Sequence, residues 1–470
     1  MDQFGKTAGV VARIRGMVHD GMLRTGDALP STRALAAELG VARGTVVAAY
    51  EQLDGEGYIR TRHGAAARVV GGAGAAGRTP APAPDPRPGT RPDPRPASVV
   101  DCRPGIPAVT AISDRDWRAA WRAAADLPLR NALSDPLGLP ALREQIAAQL
   151  GLSRGFAPDP SRVVVAAGTS EAVSLVTEAL RVSLGRAPRI AVEDPGYRTG
   201  HRAVVSAGGE VVGVPLDDDG LSLDALRAGG RFDAVMVTPT HQYPLGSVMP
   251  VARRRALLDW AAAMGTLVIE DDYDSEFRHR GQPVPALAAL DAGVLHVGGF
   301  SKSFDPRLRC AYVVLPADRP HVAAAVTAAR TARGAVVAEP VQAAVAHLLR
   351  TGAFRRHLGR VRRDYTHRRE LIAGRLASAV AAVPGLEARA LTGGLHTVVT
   401  WSGPLHGAAV VDRLASRGVL VADLADYEVT AGSAGDGVVL GYGAVSLPVL
   451  ERALDALLEV LGAGPGPVTG

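Results

Sequence analysis

The chain has 470 residues, of which 47% are hydrophobic, and its formal net charge is +5. This length exceeds one ordinary hydrophobic core, so we expect two or three compact units. No apolar run approaches the roughly 20 residues that span a bilayer, and the opening MDQFGKTAGV lacks the apolar core of a signal peptide. We therefore expect a cytoplasmic protein with no membrane partner. Two cysteines, Cys102 and Cys310, are too few for a disulfide framework or a clustered metal site, and the mild positive charge permits a nucleic-acid partner without arguing for one.

The first 70 residues contain the pattern of a winged helix-turn-helix, LPSTRALAAELGVARGTVVAAYEQLDGEGYIRTRHG. Ser31 can cap a helix that runs to Leu39, and Gly40 supplies the tight turn after it. A second helix is predicted to start near Ala42. Its inward-facing side chains, at helical spacing, are Val46, Val47, Tyr50 and Leu53.

The start of this second helix carries the side chains that would meet DNA. The spacing leaves Arg43 and Thr45 facing outward, where a recognition helix enters the major groove. YIRTR and AARVV then predict a β-hairpin wing. This order closely resembles the GntR-type DNA-binding domain over about residues 7–70, including its LPSxRxLA and TVxxAYxxLxxEGY patterns. The resemblance implies these DNA-contacting positions: Arg33, Arg43, Thr45, Arg62 and Gly64.

A solvated helical surface is the alternative interpretation of these arginines. Residues 1–70 hold nine Lys and Arg against seven Asp and Glu, an excess too small to decide the question. Phosphate contact requires a few well-placed cations rather than an overall excess. We therefore predict double-stranded operator DNA as a partner from the pattern, and not from the charge.

A proline-rich segment separates this unit from the rest of the chain. Its composition favours extended polyproline conformations, which predicts a semi-rigid linker over residues 71–98. Beyond it, short apolar runs alternate with helical patterns: RVVVAAG, RIAVEDPG, AVMVTPT, TLVIEDD, VLHVGGF and AYVVLP. This alternation predicts an α/β large domain over residues 99–351 with a largely parallel or mixed sheet. A smaller α+β domain follows over residues 352–462, ending in a helix around Leu447–Leu461, and residues 463–470 form a tail.

Three motifs follow apolar runs, at the strand ends where ligands bind in such sheets. EDPGY contains Tyr197, and EDDYDSEF contains Asp271 and Tyr273. The third motif, GGFSKSFDPRLR, contains Lys302 and Arg309. Pyridoxal 5′-phosphate needs such a set. A lysine forms the Schiff base, a carboxylate holds the pyridine nitrogen, a phenol binds the ring hydroxyl, an aromatic face covers the ring, and cations hold the phosphate.

The near-absence of other lysines also favours a Schiff-base role for Lys302. Lys6 is the only lysine besides Lys302, and arginine supplies every other strong cation. A lysine between two serines therefore has a task that arginine cannot perform, namely forming an imine. Each motif alone is also compatible with a metal site, an exposed turn or a packing residue. Their joint order favours the cofactor over a cofactor-free relic.

The order EDPGY, PxHQxPxG, EDDYDSEF and FSK resembles the fold-type I aminotransferases, and more narrowly their MocR regulators, over nearly all of residues 100–462. The resemblance implies that Lys302 forms the Schiff base, Asp271 pairs with the pyridine nitrogen, and Tyr273 reaches the ring oxygen. It also implies that Tyr197 stacks on the ring and Arg309 binds the phosphate. The phosphate cup and ring neighbours complete the implied cofactor site: Gly168, Thr169, Ser170, Ser301, His241 and Tyr243.

Two residues depart from the family pattern around the phosphate. Gly299 stands three residues before Lys302, where the family usually has a hydroxyl. Glu171 follows the phosphate cup, where an uncharged polar residue is usual, and its carboxylate would repel a phosphate unless the side chain points away.

A third departure concerns the effector. Aminotransferases bind the substrate α-carboxylate with an arginine near the end of the small domain, whereas DGVVLGYGAVS offers Val438 and Val439 at that place. The bidentate carboxylate clamp is therefore missing there. Arg198 or Arg103 could substitute for it.

Three functions fit these observations: a ligand-sensing regulator, a working aminotransferase with an appended DNA-binding domain, and a DNA-binding protein with a dimerisation scaffold. A winged helix has no use in a plain enzyme, which favours a regulator without a dedicated catalytic role. A regulator needs only differential affinity of two conformations for its ligand. The resemblance implies a head-to-tail homodimer that meets two half-sites. We predict that pyridoxal phosphate itself, or a ligand without a simple α-carboxylate, is the effector, with an amino compound such as a γ- or ω-amino acid as the second candidate.

Overall fold

The computed structural model describes residues 3–20, 22–24, 26–55, 58–61, 66–69, 99–277 and 285–462. It divides into two compact units, Met1–Pro94 and Arg95–Gly470. The predicted linker at 71–98, the tail at 463–470 and the wing positions Arg62 and Gly64 lie outside the described residues.

The first unit has the elements of a winged helix-turn-helix: α1 Gln3–His19, α2 Thr32–Leu39, α3 Arg43–Gly55, β1 Ile59–Arg60 and β2 Arg68–Val69. The predicted cap is confirmed, since the Ser31 hydroxyl accepts a hydrogen bond from the amide of Ala34. Gly40 ends α2 in the left-handed conformation that glycine adopts without strain. The Tyr50 hydroxyl donates to the carbonyl of Pro30 at 2.8 Å and so fixes the segment before α2 against α3.

The inner face of α3 agrees with the prediction except at one residue. Val46, Tyr50 and Leu53 are buried in the core of this unit, while Val47 is half-buried. The prediction that Thr45 faces outward is wrong, because its side chain is only 2% exposed. Thr45 lies next to Val46 in the first turn, on the side of α3 that packs inward.

The second unit contains most of the helices, with these bounds: α4 Asp114–Ala125, α5 Pro140–Ser153, α6 Thr169–Leu184, α7 Arg198–Ser206, α8 Leu223–Ala228, α9 Val251–Met264, α10 Leu287–Leu290, α11 Pro320–Arg333, α12 Glu339–Arg350, α13 Ala353–Ala379, α14 Gly407–Ser416 and α15 Leu447–Val460. Its strands are β3 Val100–Asp101, β4 Val163–Ala166, β5 Arg189–Asp194, β6 Glu210–Asp217, β7 Gly220–Leu221, β8 Ala234–Val237, β9 Leu267–Asp272, β10 Leu295–Gly299, β11 Ala311–Val314, β12 Glu387–Arg389, β13 His396–Thr400, β14 Val419–Leu420, β15 Ala422–Asp423 and β16 Gly437–Gly441.

The large sheet has the order β4-β11-β10-β9-β8-β5-β6-β7. The pairs from β10 through β9, β8 and β5 to β6 are parallel, whereas β11 runs antiparallel to both of its neighbours. The predicted mixed α/β sheet is therefore confirmed, and all six predicted runs are strands. Sequence reasoning missed β6 and β7. Because β5, β9 and β10 are parallel, the EDPGY, EDDYDSEF and GGFSK motifs meet at one edge of the sheet.

A second sheet, with the order β12-β13-β16-β15, lies in the C-terminal part of this unit. The short strand β3 pairs with β14, so the beginning of the unit is tied to its C-terminal part. α15 confirms the predicted terminal helix to within one residue. In the described part of the chain, no helix is long and apolar enough to cross a membrane.

Candidate functional site

A cavity of about 320 Å³ opens at the edge where the three motifs meet. Most of the predicted cofactor residues line it together: Thr169, Ser170, Tyr197, Tyr243, Asp271, Tyr273, Ser301, Lys302 and Arg309. Gly299, noted above as a departure, and Arg198, noted as a possible substitute for the clamp, also line the cavity. The wall is completed by residues that the sequence did not indicate: Pro104, Gly105, Thr199, Thr238, Pro306 and Tyr427.

Lys302 enters this cavity from the turn that follows β10. Its Nζ donates a hydrogen bond to the carbonyl oxygen of Gly105 at 2.9 Å. Burial lowers the pKa of the Lys302 ammonium, and the negative charges of Asp271 and Asp274 oppose that shift. A lysine with a lowered pKa presents more of the neutral amine that attacks an aldehyde.

Asp271 stands at the end of β9 with its side chain almost fully buried, at 4% exposure. Its Oδ1 has no hydrogen-bond partner among the described residues. Burial raises the pKa of Asp271 to about 8, with smaller contributions from Asp272 and Glu193. A buried carboxylate oxygen without a donor is costly, and the protonated nitrogen of a pyridine ring would satisfy it.

The two acidic neighbours of Asp271 in β9 contact other groups of the fold and lie outside the cavity lining. Arg154 Nε lies 2.6 Å from an oxygen of Asp272. Glu270 accepts from the backbone of α10 and lies 2.9 Å from the ring of His296. This leaves Asp271 as the acidic side chain of the EDD motif that lines the cavity.

The opposite side of the cavity has the features of an anion site. α6 begins at Thr169 directly after Gly168, so its first amides point toward the cavity and favour negative charge. Gly168 itself stands behind the wall with φ of +105°, and a Cβ there would lie 2.8 Å from a terminal nitrogen of Arg309. Arg309 lines the cavity in a left-handed conformation, φ +47°, and donates to the carbonyl of Ala167 at 2.6 Å.

Glu171 does not oppose this anion site. Both of its carboxylate oxygens lie 2.8 Å from a terminal nitrogen of the buried Arg330, and Arg333 adds a contact at 3.3 Å. The same carboxylate accepts from the amide of Ala167 at 3.1 Å. The departure at this position is thus compensated by two arginines of α11, and Glu171 lies outside the cavity lining.

Four tyrosines form the aromatic wall. The ring of Tyr243 stands edge-on to those of Tyr197, Tyr273 and Tyr427, with centroid separations of 6.3, 5.5 and 5.4 Å. The hydroxyl of Tyr427 lies 3.4 Å from that of Tyr243. Tyr427 comes from the C-terminal part of the unit, and no local motif in the sequence marks it.

The structure corrects the position of His241, which was predicted to lie beside the cofactor ring. Its Nδ1 is 3.0 Å from the Tyr273 hydroxyl and 2.8 Å from Asp274. His241 is buried behind Tyr273, and Gly394 packs against it so closely that a Cβ would lie 2.6 Å from the imidazole ring. His241 therefore supports Tyr273 and is not part of the cavity wall formed by the described residues.

The place of the missing carboxylate clamp is apolar. Val439, in β16, is fully buried and packs with Val398, Leu424 and Tyr427. Of the two possible substitutes, Arg103 is engaged by both oxygens of Asp101, at 2.9 and 2.8 Å, and lies outside the lining. Arg198 does line the cavity, and it pairs with Asp426 at 2.9 Å.

Two family models match the chain in consecutive segments. Residues 6–69 match bacterial regulatory proteins of the gntR family, and residues 109–434 match aminotransferase class I and II. The chain is 37% identical over 458 residues to the HTH-type pyridoxine biosynthesis transcriptional regulator PdxR of Corynebacterium glutamicum, covering 96% of this chain and 95% of that protein. It is 32% identical over 384 residues to the Rhizobium meliloti protein named "Probable rhizopine catabolism regulatory protein MocR", covering 76% and 74% of the two chains. The chain belongs to the MocR-type regulators of the gntR family.

The second unit of this MocR-type regulator has the fold-type I aminotransferase fold. It is similar to the crystal structure of an archaeal alanine:glyoxylate aminotransferase, with a TM-score of 0.70, 21% identity, and coverage of 77% of this chain and 90% of that one. At that identity the likeness establishes the fold alone. Both relatives described above carry regulator names, and the match to the first covers 96% of this chain and therefore both units. This MocR-type chain is therefore a DNA-binding transcription regulator and not a dedicated aminotransferase.

Proposed function

We propose that this regulator binds pyridoxal 5′-phosphate in the cavity and that cofactor or effector binding there changes how the winged helix binds operator DNA. The observation that carries the proposal is the unpartnered, buried Oδ1 of Asp271 in the same cavity as the amine of Lys302. A carboxylate, an amine and a helix N-terminus around one cavity match the nitrogen, the aldehyde and the phosphate of this cofactor.

Each end of the cofactor has a protein group of matching chemistry. When bound, the cofactor supplies an aldehyde that attaches covalently to Lys302 and a ring that withdraws electrons. Asp271 would hold the ring nitrogen in its protonated form, while Tyr273, supported by His241, would donate to the ring oxygen. Tyr197 would cover one face of the ring. The phosphate would be held by Arg309 together with the start of α6, including Gly168, Thr169 and Ser170, and by Ser301.

We further propose that the regulated genes serve vitamin B6 or amino-compound metabolism. We also propose that the regulator is a cytoplasmic, head-to-tail homodimer that binds two half-sites of duplex DNA. The name of the Corynebacterium relative supports the first of these, because it refers to pyridoxine biosynthesis. The apolar cluster around Val439 supports an effector without a simple α-carboxylate, with pyridoxal phosphate itself as the leading candidate. An active aminotransferase is the weaker candidate, because the same cluster occupies the place of its clamp.

The absorbance spectrum of the purified chain tests cofactor attachment. Adding pyridoxal phosphate should give an imine band, and borohydride should fix a reduced adduct that peptide mapping locates at Lys302. Lys302→Ala should abolish both, whereas Lys6→Ala, which removes the only other lysine, should leave both unchanged. An unaltered spectrum with excess cofactor, or an adduct in the Lys302→Ala chain, would refute the proposal.

Footprinting on the region upstream of the chain's own gene tests the DNA-binding half. Arg33 and Arg43 are exposed on α2 and α3, and Arg43→Ala should weaken binding about tenfold and reduce the salt slope by about one. Arg452→Ala, which removes an exposed arginine from α15, is the charge-matched control. Equal losses in both variants would point to non-specific charge instead of groove contact.

A further inference from the structure

The contact between Lys302 and Gly105 joins the cavity to the first segment of the second unit. The Gly105 carbonyl accepts from Lys302 Nζ at 2.9 Å, although the two residues are 197 positions apart. Gly105 has φ of +100°, and a Cβ there would lie 2.7 Å from Nζ. Only glycine therefore allows the backbone to approach the amine this closely without strain.

Residues 100–108, here called the entry segment, contain Gly105 and are fixed to the C-terminal part of the unit. The amides of Val100 and Cys102 donate to the carbonyls of Gly418 and Leu420 at 2.7 and 2.8 Å. At the other end of the segment, the Ala108 amide donates to the Tyr365 hydroxyl at 2.9 Å.

The backbone of the entry segment also packs closely on β16. The carbonyl of Cys102 accepts from the amide of Gly441 at 2.7 Å. A Cβ at Gly441 would lie 2.6 Å from the carbonyl oxygen of Arg103, and one at Gly443 would lie 2.5 Å from that of Ile106. The segment therefore lies in a groove that offers little room, and a shift at Gly105 has to be shared by its neighbours.

In the sequence, the entry segment follows directly on the proline-rich residues 71–98, which lead back to the winged helix. The entry segment is therefore the part of the second unit that lies nearest in sequence to the winged helix.

Attachment of an aldehyde changes what the amine can donate. A protonated lysine has three N–H donors. When the nitrogen condenses with an aldehyde, a C=N bond forms and the carbonyl oxygen leaves as water with two hydrogens from nitrogen. At most one N–H remains, and it is held in the plane of the double bond. The Gly105 carbonyl then loses a donor that could rotate toward it.

We propose that Gly105 is a positioning residue that holds the free amine of Lys302, and that attachment of the cofactor releases the entry segment. This inference rests on the proposed function, because it takes the ligand at Lys302 to be an aldehyde. The chain thereby converts a covalent event at one nitrogen into a change in the backbone that leads to the DNA-binding unit.

Hydrogen–deuterium exchange of the full chain tests the release. Pyridoxal phosphate should speed exchange at Val100 and Cys102 about fivefold, the change expected for loss of one hydrogen bond that opposes local opening. Pyridoxine 5′-phosphate has no aldehyde and should fill the cavity without this effect. Slower exchange with pyridoxal phosphate, or the same acceleration with both compounds, would overturn the proposal.

Variants separate the hydrogen bond from general damage. Lys302→Met keeps the length of the side chain but removes the donor, so its entry segment should exchange fast without cofactor and should not respond to it. Gly105→Ala should behave likewise. Gly230→Ala is the matched control, because Gly230 has φ of +83° with open space around it. Slow exchange in the cofactor-free Lys302→Met chain would show that the amine does not hold the segment.

The absorbance spectrum distinguishes a failure of cofactor attachment from a failure of the release of the entry segment. If no imine band forms, the proposed function fails, and with it the inference. If the band forms while exchange of residues 100–108 stays unchanged, the cofactor binds but the release does not occur.

Discussion

The two ends of the cavity differ in what the aminotransferase pattern has kept. At the anchor end, defined by Asp271, Lys302 and Arg309, a carboxylate, an amine and a guanidinium line one cavity. At the rim end, defined by Tyr427 and Tyr243, the two rings line the cavity and pack with the apolar cluster of Val439, which stands in the place of the substrate clamp. The anchor end therefore has groups whose chemistry matches the proposed cofactor, whereas the rim end lacks the arginine that holds an amino-acid substrate in aminotransferases.

The energetics of the two ends differ in the same way. Burial of Asp271 without a donor disfavours its charged form, so this carboxyl either holds a proton or takes a donor from a ligand. Burial of Val439 among Val398, Leu424 and Tyr427 stabilises the fold and leaves no polar group that a ligand would have to pair. The charged form of Asp271 at the anchor end thus lacks a partner in the described part of the chain, whereas the apolar side chains at the rim end are packed against one another.

The largest expected effect comes from Asp271→Asn. The variant loses the buried carboxylate that would pair with the ring nitrogen, and a broken buried charge pair costs about 2 kcal/mol or more, roughly 30-fold in affinity. Spectroscopic titration with pyridoxal phosphate measures this loss of affinity. An affinity within a factor of two of the parent chain would show that the anchor end does not use this carboxylate.

The same substitution should stabilise the cofactor-free chain, in a pH-dependent way. The pKa of Asp271 is raised from 3.8 to about 8 by burial, so the folded state binds an extra proton between these values and becomes less stable as pH rises through them. Asparagine resembles the protonated form and avoids this loss. Its gain in melting temperature should therefore be larger at pH 8 than at pH 5, and a gain that shrinks with pH would contradict the burial argument.

A smaller effect is expected from Arg309→Gln. Loss of one charge-assisted contact should lower the affinity for pyridoxal phosphate about tenfold. The affinity for pyridoxal, which lacks the phosphate, should stay unchanged. Arg307→Gln, two residues away with an exposed side chain paired to Asp305, is the control. An equal loss of affinity for pyridoxal phosphate and pyridoxal would assign Arg309 a role other than phosphate binding.

Ordinary α-amino acids should have little effect on the loaded chain, because the rim end lacks the clamp that orients their carboxylates. Stopped-flow absorbance after mixing with L-amino acids should show no rapid shift of the imine band. A fast shift with several of them would remove the distinction between the two ends and favour the aminotransferase.

The smallest effect belongs to Tyr427→Phe. The hydroxyl contact with Tyr243 is long, at 3.4 Å, and a weak hydrogen bond of this kind contributes at most about 0.5 kcal/mol, roughly a factor of two. The affinity for pyridoxal phosphate measured by titration should change by no more than that. A tenfold loss would place Tyr427 among the groups that hold the cofactor.

Several parts of the site could not be predicted from the sequence, each for a physical reason. The neutralisation of Glu171 depends on Arg330 and Arg333 of α11, about 160 positions away. His241 lies near the predicted place, but its side chain turns behind Tyr273 because Asp274 binds it there. Thr45 faces inward although helical spacing favoured the outer face. A side chain's neighbours follow from packing, which local spacing does not contain.

The sequence by itself determined the two-unit organisation, the helix cap at Ser31, the alternation of strands and helices, and the lysine that stands almost alone in the chain. These follow from local chemistry: capping, periodicity and the need for an amine. Only the tertiary structure decided that Gly105 meets Lys302, that Tyr427 completes the aromatic wall, and that Val439 packs with Val398, Leu424 and Tyr427. Such contacts join residues from distant segments, and they arise when the strand ends and the C-terminal part of the unit converge on one cavity.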